Sequence, residues 1–214
     1  MESHDYQIKV VQKKSPAYLV LKNLVANNYR EHYGAIVEVN PDQFIALCSS
    51  ENEWLACFGA NFSHARKLFS EIYLDGPVEY ILEPIVERSV ERGVIAECGS
   101  FASLSPGAGK TLLSSLSWVL WCEGVHYGLV TVTPIVRQLF KRLDMPFLPI
   151  CATDIGRLSA SAIEQWGSYY STEPVTGVLD IKQGLLNSLE THSGNYKIRE
   201  LNVVDRKKNR SRAA

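Results

Sequence analysis

Apolar and polar residues alternate loosely from Tyr6 to Gln12, where Ile8 and Val10 share a face, and this predicts a first strand. Ser15-Pro16 follows as a helix start, with serine as the cap and proline in the first turn. Tyr18, Leu19, Leu21, Leu24, Val25, Asn28 and Tyr29 keep helical spacing up to Gly34. Two short β-type runs, Phe44 to Cys48 and Trp54 to Phe58, flank the polar turn Ser49 to Glu53 and predict a hairpin. After an irregular stretch, Val78, Ile81, Leu82 and Ile85 fall on one face of a helical piece over Pro77 to Arg88.

The second half is more regular. Val94 to Phe101 reads as an apolar strand interrupted only by Glu97. The turn Leu104-Ser105-Pro106-Gly107-Ala108-Gly109-Lys110 feeds a helix from Thr111 to about Glu123, with Leu112, Leu113, Leu116, Val119 and Leu120 as its core stripe. Tyr127 to Val132 is a strand, Pro134 opens a helix through Val136, Leu139, Phe140 and Leu143, and Phe147 to Ala152 is another strand. Beyond Asp154 the pattern weakens to short helices near Ala160 to Tyr169 and Asp180 to Glu190. This order predicts an α/β fold whose mixed sheet is flanked by helices, antiparallel in its early strands and parallel in its central pair. Residues 1–205 are expected to form a single domain, 154–205 being its weakly patterned part, and 206–214 a basic disordered tail.

Composition narrows the function. With 46% hydrophobic and 21% charged residues the chain can bury a core, and a net charge of −1 gives no global pull toward nucleic acid or anionic lipid. The five cysteines lack C-x-x-C spacing and sit in apolar contexts, as buried reduced thiols do. His64 and His126 have no ligand spacing, so no metal is expected. Neither a signal peptide nor a spanning segment is visible, and cytoplasmic residence is expected, with later release left open.

Gly107-Ala108-Gly109 lies between a buried strand and a helix start. Glycines there allow close backbone approach, and free amides at the helix start favour a phosphate. A tight turn that binds nothing is the competing reading. A Walker A loop would need glycine at position 104, where Leu104 stands, and a dinucleotide fingerprint would need glycine in place of Leu112. Ser100 and Ser103 lack the G-x-S-x-G elbow of a serine hydrolase.

The segment from Val94 to Pro149 resembles the GNAT acyltransferases. It keeps Gly107 and Gly109, the helix, the strand Tyr127 to Val132, and then Thr133-x-x-Val136-x-x-Leu139-Phe140. It departs at Leu104, where that group has a basic or amide residue, at Thr133 in place of Asn, and at Phe140 in place of an acid-supplying Tyr. Blocks in order from Gly59 to Leu143 resemble the thermostable hemolysin family of bacteria. They are His64-Ala65-Arg66-Lys67-Leu68-Phe69, Tyr73-Leu74-Asp75-Gly76-Pro77-Val78-Glu79, Ile95-Ala96-Glu97-Cys98-Gly99-Ser100-Phe101-Ala102 and Thr131-Val132-Thr133-Pro134-Ile135-Val136-Arg137. That family is related in fold to the GNAT group and to autoinducer synthases.

The resemblance implies a thioester co-substrate, acyl-CoA or acyl-phosphopantetheine on an acyl carrier protein, held by Phe101, Ala102, Ser103, Gly107, Ala108, Gly109 and Lys110. It implies an amine acceptor ordered by Arg66, Asp75 and Glu79; a solvated helix face with local ion pairs is the plainer reading of those three. Glu97 has two readings from its own surroundings. As a desolvated carboxylate it would be a general base, and as a structural group it would pair with Arg66 or Arg137. Tyr169-Tyr170 reads either as an acyl-pocket wall or as packing. The function expected is N-acyl transfer. Two alternatives stand beside it: a directly membrane-active hemolysin, and a degenerate domain that only binds acyl-CoA.

Overall fold

A computed structural model describes residues 6–63 and 66–191, apart from the side chains of residues 190 and 191. His64 and the basic segment 206–214 therefore lie outside the described residues. The strands are β1 (Gln7–Gln12), β2 (Gln43–Cys48), β3 (Trp54–Phe62), β4 (Ile95–Ser103), β5 (Tyr127–Val132), β6 (Phe147–Ala152) and β7 (Val175–Asp180). They make one seven-stranded sheet in the order β1-β2-β3-β4-β5-β7-β6. Only β4 and β5 run parallel, as expected, and the other pairs are antiparallel.

The helices are α1 (Pro16–Tyr33), α2 (Val78–Val86), α3 (Ala108–Ser114), α4 (Leu116–Cys122), α5 (Pro134–Arg142), α6 (Ala160–Trp166) and α7 (Ile181–Thr191). Helix α1 starts where expected: the Ser15 hydroxyl accepts from the Ala17 amide, and Gly34 closes the helix at φ 65°. The single helix expected over Thr111 to Glu123 is two helices. Ser114 Oγ donates to the Thr111 carbonyl at 2.7 Å and the Ser115 amide bonds to the Leu112 carbonyl, so the ladder tightens and breaks at Ser115.

Sheet alternation sorts the core. Ile45, Leu47, Ala96 and Cys98 face α3, α4 and α5, packing with Leu112, Leu116, Leu120 and Phe140. Phe44, Ala46, Cys57 and Ala102 face α1 and its Tyr18, Leu21, Val25 and Tyr29. A third cluster joins Ile95, Leu129 and Val178 to Val78 and Leu82 of α2. The five cysteines are free; Cys48, Cys57 and Cys98 are buried, whereas Cys122 and Cys151 are partly exposed rather than buried. Among the described residues no helix is long and apolar enough to cross a membrane.

Strand β7 is absent from the sequence expectation. It carries Gly177, where a Cβ would lie 2.4 Å from the Leu148 carbonyl and 2.6 Å from the Phe147 ring. A glycine weakens a strand pattern in sequence, and here it is required by the close approach of β6.

Candidate active site

The pairing of β4 with β5 stops after Glu97↔Leu129, although both strands continue. β4 then bulges: Gly99 pairs with Gly59 and Ala102 with Cys57, so β4 has one more residue than β3 between the two pairs. Ser100 takes the strain at φ 52°. The extra residue switches the faces, so that Phe101 points toward α3 and Ala102 toward α1. The strands part here, and Phe101, Ala102 and Ser103 line the β4 side of the opening.

The glycine loop stands against this segment. Gly107 has φ 82° with open space around its Cβ position, whereas a Cβ on Gly109 would lie 2.8 Å from the Phe101 ring and 3.1 Å from Ser103. The two glycines thus do different work: one makes the turn, the other lets the loop touch the strand. The Gly109 amide donates to Ser103 Oγ at 3.0 Å and the Ala108 amide to the Ser105 carbonyl at 3.2 Å. Lys110 is exposed beside them.

Glu97 is 7% exposed and pairs with neither arginine named for it. Its Oε1 accepts from the Ser70 amide at 2.8 Å and the Ser70 hydroxyl at 2.6 Å, and Oε2 from the Phe69 amide at 2.9 Å. It therefore caps the 3-10 turn Phe69–Tyr73. Burial pushes its pKa up, and these donors only partly offset that. Thr131 Oγ1 extends the network by donating to Ser70 Oγ at 2.9 Å. Arg66 pairs instead with Asp42, and Arg137 carries a buried Nε with no partner among the described residues.

Arg66, Asp75 and Glu79 do converge. They line a cavity of about 580 Å³ together with Lys67, Glu71, Leu74, Gly76, Pro77 and Arg92. Arg92 is the hub: it grips both oxygens of Glu71 at 2.8 Å and Glu79 Oε2 at 2.7 Å. Burial pushes the Glu71 carboxyl up, but Arg92 and the Val78 and Leu68 amides outweigh it and hold the group below its usual range. Asp75 pairs with Arg157 at the rim. Arg92 and Glu71 were not legible from spacing, since 21 residues separate them.

The Tyr169-Tyr170 pair belongs to an aromatic layer over the opening. Tyr169 is buried against Tyr29, Tyr33 and Trp166, and Tyr170 meets Tyr73 hydroxyl to hydroxyl. Among the described residues no group of three or more His, Cys, Asp or Glu could hold a metal.

A mixed sheet with one parallel pair, bulged and parted beside a glycine turn, defines the fold. Solved structures share it at low identity. The acyl-homoserine lactone synthase LasI aligns with a TM-score of 0.60 at 11% identity, covering 92% of this chain and 100% of that one. FeeM, an N-acyl amino acid synthase from uncultured soil microbes, gives 0.57 at 14%, covering 89% and 98%. BjaI, a CoA-dependent acyl-homoserine lactone synthase solved with SAM and isopentyl-CoA, gives 0.57 at 10%, covering 87% and 89%. The chain belongs to the thermostable hemolysin family, whose model matches residues 11–185. No curated protein matches it.

Proposed function

We propose that this chain is an N-acyltransferase that moves an acyl group from a thioester, on CoA or an acyl carrier protein, to an amine. The observation that carries this reading is the parting of β4 from β5 at the Ser100 bulge, directly beside the glycine loop. A pantetheine arm could add there as an extra strand on Phe101, Ala102 and Ser103, with its pyrophosphate over Gly107, Ala108, Gly109 and Lys110. The polar cavity would take the acceptor through Arg66, Asp75 and Glu79. Glu97, of raised pKa and close to the parting, would receive the amine proton. Holding both substrates together supplies much of the rate. The acyl synthases among the solved structures that share this fold support the reading, one of them with isopentyl-CoA bound. Hemolysis is then indirect, through an acylated product that acts as a surfactant.

The test is incubation of the purified protein with acyl-CoA or acyl carrier protein donors and a panel of amines, read by mass spectrometry. A new amide with stoichiometric thiol release is expected. Thioester binding without amide formation across the panel would favour the binding-only alternative.

A further inference from the structure

Beyond Glu97 and Leu129 the parted strands are spanned by phenols from outside the sheet. Helix α1 packs on β4 through Ala102, and Tyr29 lies in that contact, 9% exposed. The bulge brings the Phe101 amide beside the Tyr29 hydroxyl oxygen, close enough to offset part of the upward push that burial puts on that phenol. The Tyr29 ring stacks on Tyr169 at 6.1 Å and 21°, and the Tyr169 hydroxyl donates to the Thr131 carbonyl of β5 at 3.0 Å. Trp166 closes the far side, 5.9 Å from Tyr29 and 6.0 Å from Phe69, whose amide Glu97 holds. Tyr29 thus stands at the point where β4 leaves β5, on the sheet face that Glu97 also occupies.

The Phe101 amide lies next to the Ser100 bulge and beside this phenol. A phenol can accept from the amide and present its own hydrogen onward. The position where the resemblance expects a tyrosine holds Phe140, buried in the opposite face of the sheet.

We propose that Tyr29 is a catalytic residue whose hydroxyl hydrogen-bonds the thioester carbonyl oxygen, with the Phe101 amide orienting the phenol from behind. The proposal rests on the acyl-transfer reading above. As the amine nitrogen forms its bond to the carbonyl carbon, negative charge gathers on that oxygen and Tyr29 stabilises it. When the C–S bond breaks, the thiolate leaves with the electron pair. The proton lost by the amine passes to Glu97 and reaches the thiolate through solvent, so Tyr29 gives up none. Burial, then the neighbouring Tyr33, push the Tyr29 phenol upward, which keeps it a donor at neutral pH.

The test is Tyr29→Phe, which removes one oxygen and keeps the ring packing, with Tyr33→Phe as the control. Donor binding is measured by calorimetry with acetyl-, octanoyl- and palmitoyl-CoA. The stretch of a ¹³C-labelled carbonyl is read by infrared on whichever of these binds, without acceptor. The expected result is a fall in kcat of about 10²–10³, the usual cost of one oxyanion donor, with KM for the donor nearly unchanged. The bound carbonyl should shift to lower frequency in the wild type and in Tyr33→Phe, but not in Tyr29→Phe. Should Tyr29→Phe fail to fold, difluorotyrosine at position 29 keeps the oxygen, strengthens the donor and should deepen the shift. Wild-type turnover and an unchanged carbonyl band in either variant overturn this proposal alone. A wild-type protein that binds no thioester overturns the acyl-transfer reading as well.

Discussion

Glu71 and Glu97 grip the same short turn with buried carboxylates, but only Glu71 has an arginine. Glu97 accepts from the Phe69 and Ser70 amides, Glu71 from the Leu68 amide at 2.7 Å and from the Val78 amide at 3.0 Å. Arg92 neutralises Glu71, while Glu97 has hydroxyl and amide donors only. The same turn thus holds one carboxylate that an arginine keeps below its usual range and one that burial pushes above it.

Glu97→Gln separates these jobs. If Glu97 receives the amine proton, acyl transfer falls by roughly 100-fold or more, with donor affinity nearly unchanged. The glutamine oxygen can keep one of the two amides, so the fold should lose only about 1–2 kcal/mol, the cost of one imperfectly paired buried donor. Turnover and thermal melting of the same sample check this, and full turnover would remove Glu97 from the mechanism.

The two carboxylates should respond to pH with opposite sign. The folded pKa of Glu97 is raised, so its contribution to stability is complete below the ordinary value of 4.5 and is lost as pH rises through the raised value. The folded pKa of Glu71 is lowered, so its contribution is complete above 4.5 and is lost as pH falls through the lowered value. Melting curves across this range should therefore show Glu97→Gln gaining on the wild type toward high pH. Glu71→Gln should gain toward low pH.

Arg92→Met should be the most damaging change at the polar cavity. It strands Glu71, whose side chain is 3% exposed, and Glu79, at 12%. The expected loss is roughly 2–4 kcal/mol, toward the lower end for a broken buried pair because Arg92 itself keeps 22% exposure. Adding Glu71→Gln should restore part of it, and a double-mutant cycle in urea measures the coupling.

The glycines of the loop should fail differently. Gly107→Ala forces a side chain onto φ 82° without a clash and should cost about 1–2 kcal/mol while donor binding survives. Gly109→Val drives methyls into the Phe101 ring and Ser103, displacing the segment proposed to hold pantetheine. Donor binding by calorimetry should vanish in that variant alone, and unchanged affinity would take the loop out of the site.

Purified protein without donor or acceptor should leave dye-loaded liposomes intact. Rapid leakage from protein alone would replace the enzymatic reading with a directly membrane-active one.

The sequence by itself determined the elements whose cause is local. Ser15-Pro16 and Gly34 bound α1, alternation and turn residues set the hairpin, and Tyr127–Val132 and Phe147–Ala152 fall where their apolar runs predict. It also exposed Glu97, because a carboxylate inside an apolar strand has to be compensated somewhere. Its partner was not legible, since Ser70 lies 27 residues away with nothing in its spacing to mark it. Tertiary structure alone decided that β7 slips between β5 and β6, a placement that needs Gly177 because β6 leaves no room for a side chain. It alone set the Ser100 bulge, which depends on register against β3, and it alone brought Tyr29 of α1 to the Phe101 amide. Helix periodicity says which face of α1 is buried. Only the packing of that face on a parted sheet says what its hydroxyl meets.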